Sequence, residues 1–203
     1  MLLNPITLGW LSIALVIIGI IPYFYLIFRG KVKPHAFSWL VWTMVCAVSF
    51  SAEYIDKAGP GAWSTGVACF NCLAVTVIAF FKSEHSISRG DVISLICALL
   101  AVPIWYFTHD PLASVIIVTA IDTVGFYPTI RKCYNKPYEE GMFMYFAFGL
   151  NYLIALFAIQ HWTMVTWLFP ACTAFTCFLM VILLVVRRQL VGLELSSRLH
   201  VVD

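Results

Sequence analysis

The stretch PYFYLIFRGKVKP, from Pro22 to Pro34, returns about a hundred residues later as GFYPTIRKCYNKP, from Gly125 to Pro137. At one constant offset Ile27 falls on Ile130, Arg29 on Lys132, Lys33 on Lys136 and Pro34 on Pro137. Each stretch closes a long apolar run, passes through a short basic loop and meets a proline before the next apolar run. An internal repeat of this length in an apolar chain predicts a membrane protein built from two like halves.

Composition points the same way. The 203 residues are 62% hydrophobic and 11% charged, with a mean hydropathy of +0.94, whereas a soluble domain carries about 25% charged residues. A helix needs roughly twenty apolar residues to cross a bilayer. Seven runs read as spans, at about 6–28, 36–55, 63–82, 92–108, 112–132, 141–160 and 162–186; the fourth is the shortest and contains Pro103. Pro34, Pro111 and Pro137 stand where a helix begins, a position at which the missing N–H costs nothing. Ser88 with Asp91 resembles a capping box for the fourth span, and Asp110 is the N-cap expected for the fifth.

Positive charge orients the spans. Arg29, Lys31 and Lys33 follow the first, Lys82 and Arg89 the third, Arg131, Lys132 and Lys136 the fifth, and Arg187, Arg188 and Arg198 the seventh. With seven spans these eleven of the 12 basic residues share one side and Lys57 alone lies on the other. The positive-inside rule then puts the N-terminus outside and the C-terminus in the cytoplasm, in a bacterial inner membrane or a plasma membrane. The net charge of +2 follows from this bias and calls for no nucleic acid. No cleavable signal peptide is expected, because the first apolar run is long and lacks a basic leading segment. Most of the seven cysteines fall inside spans. Cys69-x-x-Cys72 has redox or zinc spacing, but no second pair completes a site, so these read as small buried residues.

On these spans the echo becomes an all-α, seven-helix architecture of plan 3+1+3. Residues 1–86 form a first three-helix repeat, 87–110 a linker helix, 111–188 a second three-helix repeat and 189–203 a cytoplasmic tail. An even number of reversals separates the halves, so they run in the same orientation, a parallel repeat about an axis along the membrane normal. Trp63-Ser64 and Trp162-Thr163 open the third and seventh spans alike. In its plan, and in a proline near the end of each half's first helix followed by a short basic loop, the chain resembles the SWEET and PQ-loop superfamily over residues 6 to about 188. The prolines are Pro22 and Pro128; the family's proline–glutamine pair is replaced by Pro22-Tyr23 and Pro128-Thr129, and at the constant offset Pro128 faces Tyr25. The resemblance implies a solute carrier working by alternating access, although the KDEL receptors share the plan and bind peptides.

Asp122, six residues before Pro128, is the acid nearest the middle of a span. At a helix centre an aspartate costs about 2.5–3.5 kcal/mol, so it faces a cavity or a partner. Thr119, Thr123, Phe126 and Thr129 share or border its face, and its counterpart in the first half is Gly19. It reads either as a carboxylate that binds substrate or a proton, or as a structural group bonded between helices. Asn71 and Asn151 are the next buried polar groups, suited to a solute's hydroxyls or amines and equally to helix–helix bonds. Trp42 and Tyr145 correspond by the offset and are candidates to flank a central cavity, with Trp39 beside Trp42. Pro22, Pro128 and Pro170 are the hinge or gate candidates. Glu53 reads as a surface pair with Lys57 at i,i+4.

An enzyme is not expected. The seventh span has no lysine for a retinal Schiff base, and His35 and His85 fall on the opposite side from His109 and His161, so no zinc site converges and no cofactor or metal is implied. The partners expected are the lipid bilayer, a small polar solute and protons, with the chain acting as a monomer or homo-oligomer. A ligand-binding receptor or sensor on the same scaffold is the alternative. Cysteine labelling on a cysteine-free background is expected to reach Lys57→Cys from outside and Lys33→Cys only from the cytoplasm; the reverse pattern would contradict the orientation.

Overall fold

Asparagine and proline start the first helix as a cap and a first residue should. In the computed structural model the Ile6 N–H donates to Asn4 Oδ1 at 3.0 Å, Pro5 takes the first turn, and α1 runs from Pro5 to Phe28. It closes where Gly30, at φ 67°, donates its N–H to the Ile27 carbonyl at 3.0 Å. The structure describes residues 4–30, 34, 36–82, 110–126, 130, 133–135, 137–138 and 142–199, together with 89, 92–93, 95–96, 99–100, 103 and 107. The capping box expected at Ser88 and Asp91 lies outside them.

After α1 come α2 (Ala36–Ile55), a 3-10 turn (Gly59–Ala62) and α3 (Trp63–Lys82). Then follow α4 (Pro111–Gly125), α5 (Met142–Ala158) and α6 (Met164–Leu199). Asp110 caps α4 as expected, accepting from the Leu112 N–H at 2.8 Å. Pro111 holds the first turn of α4, whereas Pro34 and Pro137 lie ahead of α2 and α5 rather than at their first residues. Four stretches, Pro5–Phe28, Ala36–Ile55, Gly59–Phe81 and Met164–Gly192, are long and apolar enough to cross a membrane; α4 and α5 are apolar but shorter.

Two helix ends differ from the sequence reading. The fifth span, expected to reach 132, is continuous helix as far as Gly125 with Phe126 in a turn; of the described residues beyond, 130 and 133–135 are helical, and the Ile130 N–H donates to the Phe126 carbonyl at 2.8 Å. The seventh span, expected to end near 186, runs to Leu199. Arg, Gln, Leu and Glu are strong helix formers and no proline intervenes. At about 1.5 Å per residue α6 is about 54 Å long, well beyond a hydrocarbon core of about 30 Å.

The direction of each helix follows from contacts at the two ends. A Cβ placed on Gly9 of α1 would lie 2.8 Å from Pro60 Cβ, so α1 starts beside the α2–α3 turn. The α5–α6 turn sits on the same end, where the Gln160 N–H donates to the Ala58 carbonyl at 3.0 Å. At the opposite end Arg187 Nε donates to the Tyr134 carbonyl at 2.9 Å and Arg188 Nε to the Pro137 carbonyl at 3.1 Å. The C-terminal residue Gly125 of α4 approaches Trp42, in the first half of α2. Hence α1, α3, α4 and α6 run one way, and α2 and α5 the other. Lys82 at the end of α3 and Pro111 at the start of α4 therefore stand at opposite ends of the bundle, and the described residues between 89 and 107 are helical. Arg29, Arg187 and Arg188 share one end, termed here the basic end, and Lys57 lies at the other.

Helix neighbours repeat between the halves. Helix α2 packs on α3 as α5 packs on α6, α1 touches α3 as α4 touches α6, and α1 crosses to α5 as α4 crosses to α2. Exchanging α1 with α4, α2 with α5 and α3 with α6 leaves this pattern unchanged. A central apolar cluster holds Val45, Ala52, Val115, Val118 and Phe169, with Leu95 packed against it. Toward the basic end it gives way to two separate clusters, Ile20, Ile27, Trp39 and Val75 from the first half and Cys133, Tyr145, Met180 and Leu184 from the second. The outer faces are apolar too: Trp10, Ile21, Phe70, Phe81 and Phe175 are each more than half exposed. A surface so uniformly apolar is costly in water and suits lipid, consistent with an integral membrane protein.

Gly9 is the tightest point of α1 against the turn, since its added Cβ would also stand 2.9 Å from the Trp63 ring. Gly9→Val is expected to lower the thermal midpoint in detergent, at a cost of about 1–3 kcal/mol. An unchanged midpoint would show that α1 does not approach the turn this closely.

Candidate functional site

Where the three apolar clusters meet they leave a cavity of about 120 Å³, to which all six helices contribute lining residues. This exceeds by several-fold the roughly 10–15 Å³ that admits one water. Its walls are largely aromatic. Trp39 and Trp42 stand edge to face at 5.2 Å on one side, and Tyr152 and Phe169 do so at 5.9 Å on another. Phe126, Tyr145 and Phe148 complete the ring-bearing surface. The lining runs from Phe169 near the start of α6 and Ala68 in the first half of α3, past Val16 at the middle of α1, to Trp39, Tyr145 and Phe126 toward the basic end, so the cavity lies around mid-depth of the bundle.

Asp122 enters this space from α4. It is buried, and Thr173 Oγ1 of α6 lies 3.4 Å from its Oδ2, at the long end of a hydrogen bond. That hydroxyl has one hydrogen and sits closer to the Phe169 carbonyl, at 2.9 Å, so it holds Asp122 weakly. Among the described residues, the ionisable groups whose electrostatics involve Asp122 include the thiols of Cys46, Cys172 and Cys177 and the Tyr152 phenol. None is basic. Asn151 faces the same cavity from α5, fully buried, and neither its Oδ1 nor its Nδ2 meets a hydrogen-bonding partner. Two polar side chains with unused capacity thus look into one aromatic chamber.

Of the residues singled out in the sequence, Asp122, Asn151, Phe126, Trp42 and Tyr145 line the cavity. Thr119 does not, although it is buried; its position is about 60° from Asp122 around the helix while Phe126 is about 40° away on the other side. The Thr119 hydroxyl has no partner, and its carbonyl accepts from Thr123 Oγ1 at 2.8 Å. Asn71 also lies outside the lining, with a buried, unpartnered Nδ2. Pro22 and Pro170 sit inside α1 and α6, which continue through them, and Pro170 follows the lining residue Phe169. Pro128 lies outside the described residues. Thr173 and the thiols of Cys46, Cys72 and Cys177 also line the cavity; polar residues recurring at 173, 176 and 177 were the available sign.

Glu53 is corrected. Its expected surface pair with Lys57 needs continuous helix, but α2 ends at Ile55 and Lys57 turns out at φ 60°. Glu53 instead points inward, 1% exposed, with Thr65 of α3 as its polar neighbour and no hydrogen bond to either carboxyl oxygen. Ser49, one turn earlier, is likewise buried and unpartnered. Beyond Glu53 a clasp joins the two turns at this end. Thr163 Oγ1 donates to Asp56 Oδ2, and His161 Nδ1 lies 2.9 Å from the Asp56 carbonyl, which can only accept, so that nitrogen carries the hydrogen.

No protein-family model, curated protein or solved structure matches the chain.

Glu53→Gln keeps the shape of the side chain and removes the ionisable group from an unpartnered, buried position. It is expected to raise the thermal midpoint in detergent, by about 1 kcal/mol of stability. A marked fall would show Glu53 engaged in a pairing that the helices do not otherwise reveal.

Proposed function

We propose that the chain is a membrane carrier that moves a small solute by alternating access, on the seven-span, 3+1+3 plan of the SWEET and PQ-loop superfamily. In this reading α1 to α3 and α4 to α6 are the two three-helix repeats, and the residues between them hold a linker span. The exchange symmetry of helix neighbours supports it, as does the common direction of α1 and α4, which a parallel repeat requires and an inverted repeat forbids. The N-terminus lies outside and the basic end faces the cytoplasm, in keeping with the positions of Arg29, Arg187, Arg188 and Lys57.

The observation that carries the reading is the chamber between the halves, with Asp122 and Asn151 turned into it. A carrier needs such a site near mid-depth, closed toward one side at a time. Here the Asp56, His161 and Thr163 clasp ties the two turns together at the outer end. On this reading the clasp closes the outer side, and the conformation is the inward-facing phase of a rocking cycle. Asp122, with no basic side chain among the described residues that line the chamber, is the group that takes up a proton during transport.

Proteoliposomes carrying the full chain test this directly. Wild-type protein is expected to accumulate its solute when a proton gradient is imposed. Asp122→Asn, which mimics the neutral acid, is expected to lose gradient-driven uptake at least about tenfold, and to lose the dependence of uptake on pH. Retention of full pH-dependent accumulation would make Asp122 structural.

A further inference from the structure

The lining specifies what kind of solute fits, an inference that rests on the carrier reading of the same chamber. Its charge is one-sided. Among the described residues that line it, Asp122 is the sole charged side chain, and no lysine, arginine or histidine joins it. An anionic solute would meet Asp122 with nothing to offset the repulsion. A sugar is equally ill served. Beyond Asp122, the strong hydrogen-bonding groups in the wall are the Asn151 amide, the Thr173 hydroxyl and the polar tips of two tyrosines and two tryptophans. A solute with five or six hydroxyls would leave most of them dry and unpaired, at about 1–3 kcal/mol each. An uncharged apolar solute fits the rings but leaves Asp122 and Asn151 unmet.

Seven of the sixteen lining residues are aromatic, and ring faces carry the negative side of their quadrupole. A cation enclosed by such rings gains about 0.5–2 kcal/mol per good contact. Trp42, Phe126 and Tyr145 stand toward the same end of the bundle as Asp122. Asn151 adds a carbonyl oxygen with no protein donor, available to an N–H. We propose that the chamber binds a compact organic cation, a primary or secondary amine on an aromatic or aliphatic body. Asp122 and Asn151 Oδ1 accept from its ammonium group, which the rings of Trp42, Phe126 and Tyr145 face, and the rest of the aromatic wall encloses its body. The body fills the apolar space that makes the wall unsuited to sugars.

Calorimetry on the full chain in detergent, with phenethylammonium, the neutral isostere 2-phenylethanol, phenylacetate and glucose as probes, tests the class. The amine is expected to bind at least about tenfold more tightly than the alcohol, with phenylacetate and glucose weaker still. Asp122→Asn should bring the amine-to-alcohol ratio to within about threefold, which a merely structural role would not do. Should that variant fail to fold, Trp42→Leu supplies the second arm, weakening the amine more than the alcohol. Equal binding of amine and alcohol, preferential binding of glucose or phenylacetate, or no binding of any probe overturns the cation class. Transport is read separately in counterflow: if an amine that binds is not exchanged across proteoliposomes, the carrier reading fails and the binding class stands. If another solute is exchanged and amines are not bound, the reverse holds.

Discussion

In hydrocarbon a backbone amide has no water to bond to, and this constraint shapes every described element of the chain. Helix is the one local answer, and the described residues between the caps are helical almost throughout. The same constraint dictates how the helices end. Asn4 and Asp110 supply side-chain acceptors at helix starts, Pro5 and Pro111 spend no donor there, and Gly30 and Gly59 take positive φ where the chain must reverse. Side-chain hydroxyls obey it too: Thr43, Ser51, Thr76, Thr123, Thr173 and Thr176 each donate to a carbonyl one turn back. Against that background, a buried polar group without a partner stands out, and the most consequential ones gather around one chamber and behind Glu53.

The two ends of the bundle are built differently. At the basic end, arginines lie over tyrosines, Arg29 on Tyr25 at 5.3 Å and Arg187 on Tyr134 at 4.1 Å, while guanidinium groups bond loop carbonyls. Cations with amphipathic rings are what an interface favours. At the other end, the turns hold one another through polar side chains and backbone, from Asp56 to Thr163 and from Ala58 to Gln160. The first arrangement anchors each set of three helices separately and the second ties the two sets together, and the apolar clusters part toward the basic end.

Much of this was legible in the sequence, because it depends on local rules. The basic loops after Phe28 and after Lys82, the proline and aspartate caps, and the length of the apolar runs located the helices. Helical spacing around Asp122 brought in Phe126, and the constant offset paired Trp42 with Tyr145; all three line the chamber. What the sequence hid depends on where a helix stops. Glu53 read as a surface residue because α2 was carried past Ile55, and α6 read short because a mixed, charged tail resembles a loop until its helix propensity is weighed. Thr119 and Asn71 were drawn into the site by polarity and depth, yet the angle around a helix, which needs the packed neighbours to fix it, turns both away.

The central claim is that Asp122 looks into a solvent-reachable chamber between two halves. It is tested most directly by placing a thiol there. With the native cysteines replaced by serine, Asp122→Cys and, as a reference on the same helix, Thr119→Cys are treated with a small cationic methanethiosulfonate in proteoliposomes. The account predicts that position 122 is modified at least about tenfold faster than position 119, and from the basic side alone. Equal, slow modification at both positions would mean that Asp122 is sealed among helices, and would contradict the account.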